Sequence, residues 1–260
     1  MAMMELKQST FEEVIESERQ LVLDADARYG EHYRNARACS IFLSRSIVSV
    51  ELSHHETFGR FFSQIKKHHM LALLSTLRLH KVQSMMNLRQ VLEAGAAAAF
   101  AIANPEMHHF ADIDEMGLLD PSKTLAQKRY AWLDEHFPEH SQSIKEKKEL
   151  LNRATSHANI VSANQTFDVD EGLQNVAAPF FDIEDEYHVQ VDLWLIASVA
   201  VELMALLYEV NQTRDGVEFA KDFPGHLKYA ARQNNATHAE ITSTDRYKRA
   251  MAISQCKPKK

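Results

Sequence analysis

Arg153 and His157 are the residues best placed for acid–base chemistry, in the segment Arg153-Ala-Thr-Ser-His157 at the end of a charged helical pattern. Their spacing puts them one turn apart on a helix. A fixed cation makes a neighbouring imidazole easier to deprotonate, so His157 would act as a general base near neutral pH. Arg153 would hold a scissile phosphate and stabilise its developing charge. The alternative is a helix-terminal His that caps carbonyl groups beside a surface Arg.

A second charged pair, Arg89 and Glu93, has the same one-turn spacing within the largely apolar segment Met85–Ala94. Charged side chains on a buried helix face are costly unless they are paired and hydrogen-bonded. The sequence therefore predicts a buried structural salt bridge that fixes the register of this helix.

Fourteen histidines raise the question of a metal centre. Glu51–His54 and Glu106–His109 match Glu-x-x-His, but a di-iron carboxylate bundle needs this spacing on two facing helices and two further carboxylates. The first match spans a predicted helix start and the second lies in a predicted loop. Neither is expected to bind metal.

Glu184, His188 and Asp192 form a ladder along one predicted helix face. Acidic residues are favoured in the first turn of a helix, so we interpret this ladder as a helix N-terminus with a surface His. The sequence contains no Gly-rich phosphate loop, nucleophile elbow or His-Glu-x-x-His motif. No cofactor and no metal are predicted.

The composition is that of an ordinary globular chain, with 260 residues, 45% hydrophobic and 25% charged. The 7 Gly and 6 Pro argue against a turn-rich β-sandwich, and Cys39 and Cys256 cannot build a disulfide framework or a Cys-rich zinc site. The N-terminus lacks a secretory pattern, and the longest apolar runs fall short of the roughly 20 residues of a membrane span. We expect a cytoplasmic protein without membrane association.

The net charge of −7 is unevenly distributed. The segment from Lys228 to the end has 8 basic and 2 acidic residues, whereas Asp168–Glu186 has seven acidic and no basic ones. Two readings stay open. In the first, the acidic segment is a solvated surface and the basic segment is a solubilising tail. In the second, the basic segment binds an acidic partner or nucleic acid.

Helical patterns dominate the chain. A helix is predicted over about 33–52, and the pattern up to Asn104 is expected to break between Ser75 and Lys81 into a helical pair. Asp120-Pro121 is predicted to start another helix. The apolar stretch that ends near Asn211 is predicted to be the central buried helix.

The predicted fold class is therefore all-α. We expect a multi-helix bundle of six to eight helices, with a short irregular or β-containing insertion after the fifth or sixth helix, following His157. The helical domain would span residues 1–237, and residues 238–260 would form a loosely packed basic tail.

Two segments together resemble the HEPN superfamily (higher eukaryotes and prokaryotes nucleotide-binding). They are Leu88-Arg-Gln-Val-Leu-Glu93 and the later helix end Arg153…Ser156-His157-Ala-Asn. The resemblance covers about 58–211 and implies a helical bundle. Many members are metal-independent ribonucleases that dimerise and act in bacterial toxin–antitoxin and antiphage systems. The resemblance thus implies RNA or a nucleotide as ligand and a homodimer.

The family motif has four to six residues between its Arg and its His, whereas three separate Arg153 from His157. Arg129–His136 and Arg232–His238 do fit that spacing, although about two such matches are expected by chance among 14 Arg and 14 His. Arg232–His238 is the reserve pair.

Two functions remain open at this point. One is a HEPN-like ribonuclease that uses Arg153 and His157. The other is a non-enzymatic helical interaction or scaffold protein that homodimerises or binds a protein partner.

Overall fold

The computed structural model describes residues 9–155, 163, 168–170, 175–177, 180–214 and 216–255, with no side-chain detail at 153–155, 168–170, 175–177 and 254–255. Within these ranges the chain forms nine α-helices and three two-stranded antiparallel sheets, which confirms the predicted all-α bundle but exceeds the six to eight helices expected by one. The helices are α1 (Phe11–Leu23), α2 (Ala25–Arg45), α3 (Leu52–Leu77), α4 (Lys81–Ala103), α5 (Leu125–His136), α6 (Pro138–Thr155), α7 (Glu186–Asn211), α8 (Phe223–Ser243) and α9 (Asp245–Gln255). The strands are β1 (Ile47–Val50), β2 (Ala111–Ile113), β3 (Leu119–Pro121), β4 (Asp168–Asp170), β5 (Asn175–Ala177) and β6 (Val217–Phe219).

The apolar helix α7 lies at the centre of the bundle, as predicted. It packs against α2, α4 and α8, while α3 and α4 pack along each other. Gly95 allows α4 to approach α7 closely, because a Cβ at this position would lie 2.5 Å from Leu203 Cδ2. Fully buried aliphatic side chains on both helices form the core, and their removal from water supplies the main driving force for folding.

By length and composition, α7 is the one described helix that could cross a membrane. However, 67% of its most apolar window is buried within the bundle. The core helix of a folded domain has the same properties.

The predicted break between Ser75 and Lys81 is confirmed, since α3 ends at Leu77 and α4 begins at Lys81. Leu79, within this turn, has a φ of 58°, a left-handed conformation that is uncommon for a residue with a branched side chain. Asp182 fixes the turn from outside: its backbone N–H donates to the Leu79 carbonyl at 2.9 Å, and its carboxylate accepts from the Lys81 N–H at 2.5 Å.

The helix predicted over 33–52 ends at Arg45, and the next residues form β1. This strand pairs with β6, with Ile47 opposite Phe219 and Val50 opposite Val217. The β-branched side chains of the Ile-Val-Ser-Val segment favour an extended chain. The helical spacing of apolar residues up to Leu52 is therefore overridden by pairing with a distant segment.

The helix start predicted at Asp120-Pro121 is wrong. Both residues belong to β3, which pairs with β2, and α5 begins at Leu125. Pro121 is tolerated because it lies at the end of a two-stranded ribbon, where a missing N–H costs little. The β4–β5 ribbon lies within the predicted insertion after His157, which therefore does contain β structure.

The boundary predicted at residue 237 falls inside α8, which continues to Ser243, and α9 follows up to Gln255. Arg246 of α9 donates to both carboxylate oxygens of Asp185, at 2.8 and 2.7 Å. Residues 238–255 are thus helical where a loosely packed tail is predicted, and residues 256–260 lie outside the described residues.

Candidate functional site

Arg153 lies in the last turn of α6, whereas its side chain and the whole of His157 lie outside the described residues. Arg153 follows Glu146 by seven positions and Glu149 by four. Both of these residues are exposed, so the backbone position of Arg153 belongs to the exposed face of α6. The catalytic pairing of Arg153 with His157 stays a prediction.

The reserve pair, Arg232 and His238, lies on α8, and both residues are exposed. Six residues along an α-helix rotate the chain by about 600°, so the two positions point roughly 120° apart. The His238 ring stacks on Trp194, with centroids 4.5 Å apart. Arg232 and His238 therefore do not form a common face on this helix.

Arg89 and Glu93 form the predicted one-turn ion pair on α4, with Arg89 Nε 3.2 Å from Glu93 Oε1. Their side chains are 40% and 27% exposed, so the pair is half-buried and not buried as predicted. The pair is only half-buried because Arg89 lies at the margin of the buried stripe that Leu88 and Leu92 form on α4.

Two cations from other helices reach the same carboxylate. Arg129 of α5 places Nη2 3.7 Å from Glu93 Oε2, and Lys148 of α6 places Nζ 3.3 Å from Glu93 Oε1. Arg129 also donates to the Glu93 backbone carbonyl at 3.2 Å, and Lys148 donates to the Tyr130 hydroxyl at 3.0 Å. We call Arg89, Glu93, Arg129 and Lys148 the cation cluster.

The cation cluster contains three positive charges and one negative charge. Burial raises the pKa of Glu93, but Lys148, Arg89 and Arg129 outweigh this effect and hold the pKa below its ordinary value, so Glu93 stays ionised. Within the described part of the chain, Arg129 Nε is buried without a hydrogen-bond partner. A half-buried positive excess favours an anion at the junction of α4, α5 and α6.

A separate pocket of about 70 Å³ lies where α4 and α7 begin. Lys81 Nζ lies 3.3 Å from Asp192 Oδ2, and burial raises the pKa of Asp192 to about 6 in spite of this cation. Burial also lowers the pKa of His188, one turn earlier on α7, with help from Lys81 and Arg246. The pocket is large enough for a few water molecules or a small ion, and too small for a substrate of ordinary size.

The ladder of Glu184, His188 and Asp192 is only partly formed. His188 and Asp192 share a face of α7, but Glu184 precedes the helix and binds Arg28 and Tyr29 instead. The helix cap is Asp185, whose carboxylate accepts from the His188 backbone N–H at 3.4 Å. The predicted N-terminus is present one residue later, and Asp192 is buried.

The two Glu-x-x-His segments lie apart from each other. Glu51 is the N-cap residue of α3, and its Oε1 lies 3.9 Å from His54 Nε2. Glu106 Oε2 lies 3.5 Å from His109 Nε2, in the short 3₁₀ turn after α4. Among the described residues, no group of three or more His, Cys, Asp or Glu could hold a metal ion.

No sequence pattern identifies Lys148 or Lys81 as a site residue, and Arg129 appears only as a spacing match with His136. The partners of these three cations lie on other helices, far away in the sequence. The helical charge run that contains Lys148 predicts a solvated face, so only the packing of α6 on α4 reveals its role.

Neither a protein-family model, nor a curated protein, nor a solved structure matches this chain.

Proposed function

We propose that this chain is a HEPN-like, RNA-directed helical protein in which the cation cluster binds phosphate and Arg153 with His157 forms a metal-independent endoribonuclease pair. The observation that carries the proposal is the charge excess of the cation cluster, three cations around Glu93. A phosphate offsets such an excess, and the HEPN resemblance points to RNA as its source.

Local charge supports this assignment. From Lys123 to Arg153 the chain has seven Lys and Arg against five Asp and Glu, a balance of +2, although the whole chain carries −7. A positive balance in this segment of an otherwise acidic chain favours contact of a polyanion with this segment.

Arg153 follows Lys148 by five residues on α6, a rise of about 7.5 Å and a rotation of about 140° between the two positions. Lys148 and Arg153 therefore lie on different faces of α6. The proposal requires an RNA strand that contacts the cation cluster with one phosphate and crosses the end of α6 to reach Arg153.

The proposed chemistry needs no metal. His157 accepts the proton of a ribose 2′-hydroxyl, whose oxygen attacks the adjacent phosphorus, and Arg153 stabilises the negative charge on the phosphoryl oxygens. The bond to the 5′-oxygen breaks, this oxygen takes up a proton from water, and the products are a 2′,3′-cyclic phosphate and a free 5′-hydroxyl. We place this activity in the bacterial cytoplasm, within a toxin–antitoxin or antiphage system.

The test is incubation of purified protein with total RNA and short synthetic RNAs in EDTA. Cleavage is expected for the native chain and lost in both Arg153→Ala and His157→Ala. Arg232→Ala and His238→Ala, the exposed reserve pair, are matched controls that should retain the native rate. An unchanged rate in His157→Ala would refute the assignment of the pair.

A second candidate is a non-enzymatic scaffold protein that homodimerises. It is favoured by α1, which has no buried residue and leaves Phe11 74% and Ile15 49% exposed. Light scattering after size exclusion should then show a dimer that Phe11→Glu with Ile15→Glu dissociates. Met116→Glu, at an exposed site between β2 and β3, is the control. A monomeric native chain would remove this candidate.

A further inference from the structure

A groove runs between α2 and α8, on helices that contribute nothing to the cation cluster. Its volume is about 520 Å³, within the range of small-molecule sites. Small side chains at Ala38, Ala230 and Ala236 create the concavity, and Ile41 and Tyr229, which are 38% and 63% exposed, form its apolar edges. The groove is therefore a site with mainly apolar walls that faces solvent.

The floor of the groove is polar but uncharged. Asn35 Nδ2 donates to Asn234 Oδ1 at 3.0 Å and to Thr237 Oγ1 at 3.4 Å, and all three residues are buried. Cys39 lies beside them, and burial raises the pKa of its thiol to about 12. A protonated thiol is a poor nucleophile, so the floor offers hydrogen bonds and no covalent chemistry.

The mouth of the groove is acidic. Glu31 and Arg34 line the groove and pair at 2.9 Å, and Asp26, outside the lining, contacts the same Arg34 at 3.1 Å. At the other side Glu240 lies 3.4 Å from His32, whose pKa is lowered by burial, so the ring is largely neutral at pH 7. Negative charge is therefore in excess where a ligand would enter.

We propose that this groove binds an aliphatic amine. The alkyl chain would lie along Ala38, Ile41 and Tyr229, and the ammonium group would lie at the mouth near Glu31 and Glu240. Apolar walls favour the chain, the acidic mouth favours a cation, and a carboxylate head would meet repulsion. This inference is independent of the RNA-directed function, because it concerns other residues and another ligand.

The test is displacement of Nile red by dodecylamine, dodecanol and dodecanoate, each below its micellar concentration at pH 7 and low salt. Dodecylamine should bind about tenfold more tightly than dodecanoate, since each exposed carboxylate contributes a modest factor. Ala236→Trp fills the groove and should abolish displacement. Ala239→Trp, an exposed position on the same helix outside the groove, should bind as the native chain does. Glu240→Gln should reduce the preference for the amine.

Any one of three binding results would overturn the proposal. They are no displacement by dodecylamine, equal binding of dodecylamine by Ala236→Trp, and equal affinity for dodecanoate. Light scattering on the same samples tests whether a second copy of the chain occupies the groove instead of the amine. A native dimer that Ala236→Trp dissociates would show that a second copy fills the groove, and would equally overturn it.

Discussion

Replacing Asp192 by Asn should stabilise the protein at neutral pH. The Asp192 side chain is 11% exposed, with Lys81 Nζ at 3.3 Å, and burial raises its pKa from 3.8 to about 6. The native fold therefore binds the proton more tightly than the unfolded chain does. This contribution to stability is complete below pH 3.8 and is lost as the pH rises through about 6.

The magnitude follows from the two pKa values. Their difference of about two corresponds to about 3 kcal/mol of unfolding free energy in total, most of which is lost between pH 4 and pH 7.5. Asn resembles the protonated carboxyl group in size and charge. Asp192→Asn should thus match the native chain near pH 4 and exceed its stability by up to about 3 kcal/mol at pH 7.5.

The assay is urea unfolding by circular dichroism at a series of pH values, with the difference between variant and native chain plotted against pH. Asp185→Asn is a control of opposite sign, because the hydrogen bond from Arg246 lowers the pKa of Asp185. Asp185→Asn should therefore lower the free energy of unfolding at neutral pH and leave it unchanged in acid. A difference for Asp192→Asn that is flat with pH, or negative at pH 7.5, would refute the reasoning.

Two further predictions concern the core. His69 is fully buried, its Nε2–H donates to the Ile196 carbonyl at 3.0 Å, and its Nδ1 lies 3.2 Å from Ser40 Oγ. Burial lowers the pKa of His69 to about 4, so native stability should fall as the pH drops from 6.5 towards 4, by up to about 3 kcal/mol. His69→Gln should flatten this acid limb in urea titrations, and an unchanged limb would contradict a neutral buried ring. Gly95→Ala should cost about 1–3 kcal/mol, because the new Cβ meets Leu203 Cδ2. A double-mutant cycle with Leu203→Ala should recover part of that cost, and strict additivity would show that the two side chains do not meet.

Much of the fold could be predicted because its signals are local. Helical periodicity identifies the apolar α7, and the one-turn spacing of Arg89 and Glu93 predicts their ion pair. The break before Lys81 follows from the length of the preceding pattern. These features depend on residues within a few turns of one another.

The rest depends on partners that lie far apart in sequence. Ile47–Val50 becomes a strand because β6 pairs with it, and the basic C-terminal segment is helical with Arg246 bound to Asp185. The cation cluster likewise needs α5 and α6 to pack on α4. Spacing rules contain no information about such contacts. From the sequence alone, Lys148 is therefore predicted to be an ordinary charged residue on a solvated helix face.

The measurement that tests the cation cluster most directly is RNA binding by fluorescence anisotropy, with a labelled single-stranded 12-mer over a range of salt concentrations. Lys148→Gln should weaken binding about tenfold and reduce the slope of log affinity against log salt by about 0.7. Lys147→Gln is the matched control, because Glu202 neutralises this neighbouring Lys at 2.7 Å, and it should leave both quantities nearly unchanged. Equal effects of the two substitutions, or no RNA binding by the native chain, would contradict the proposal.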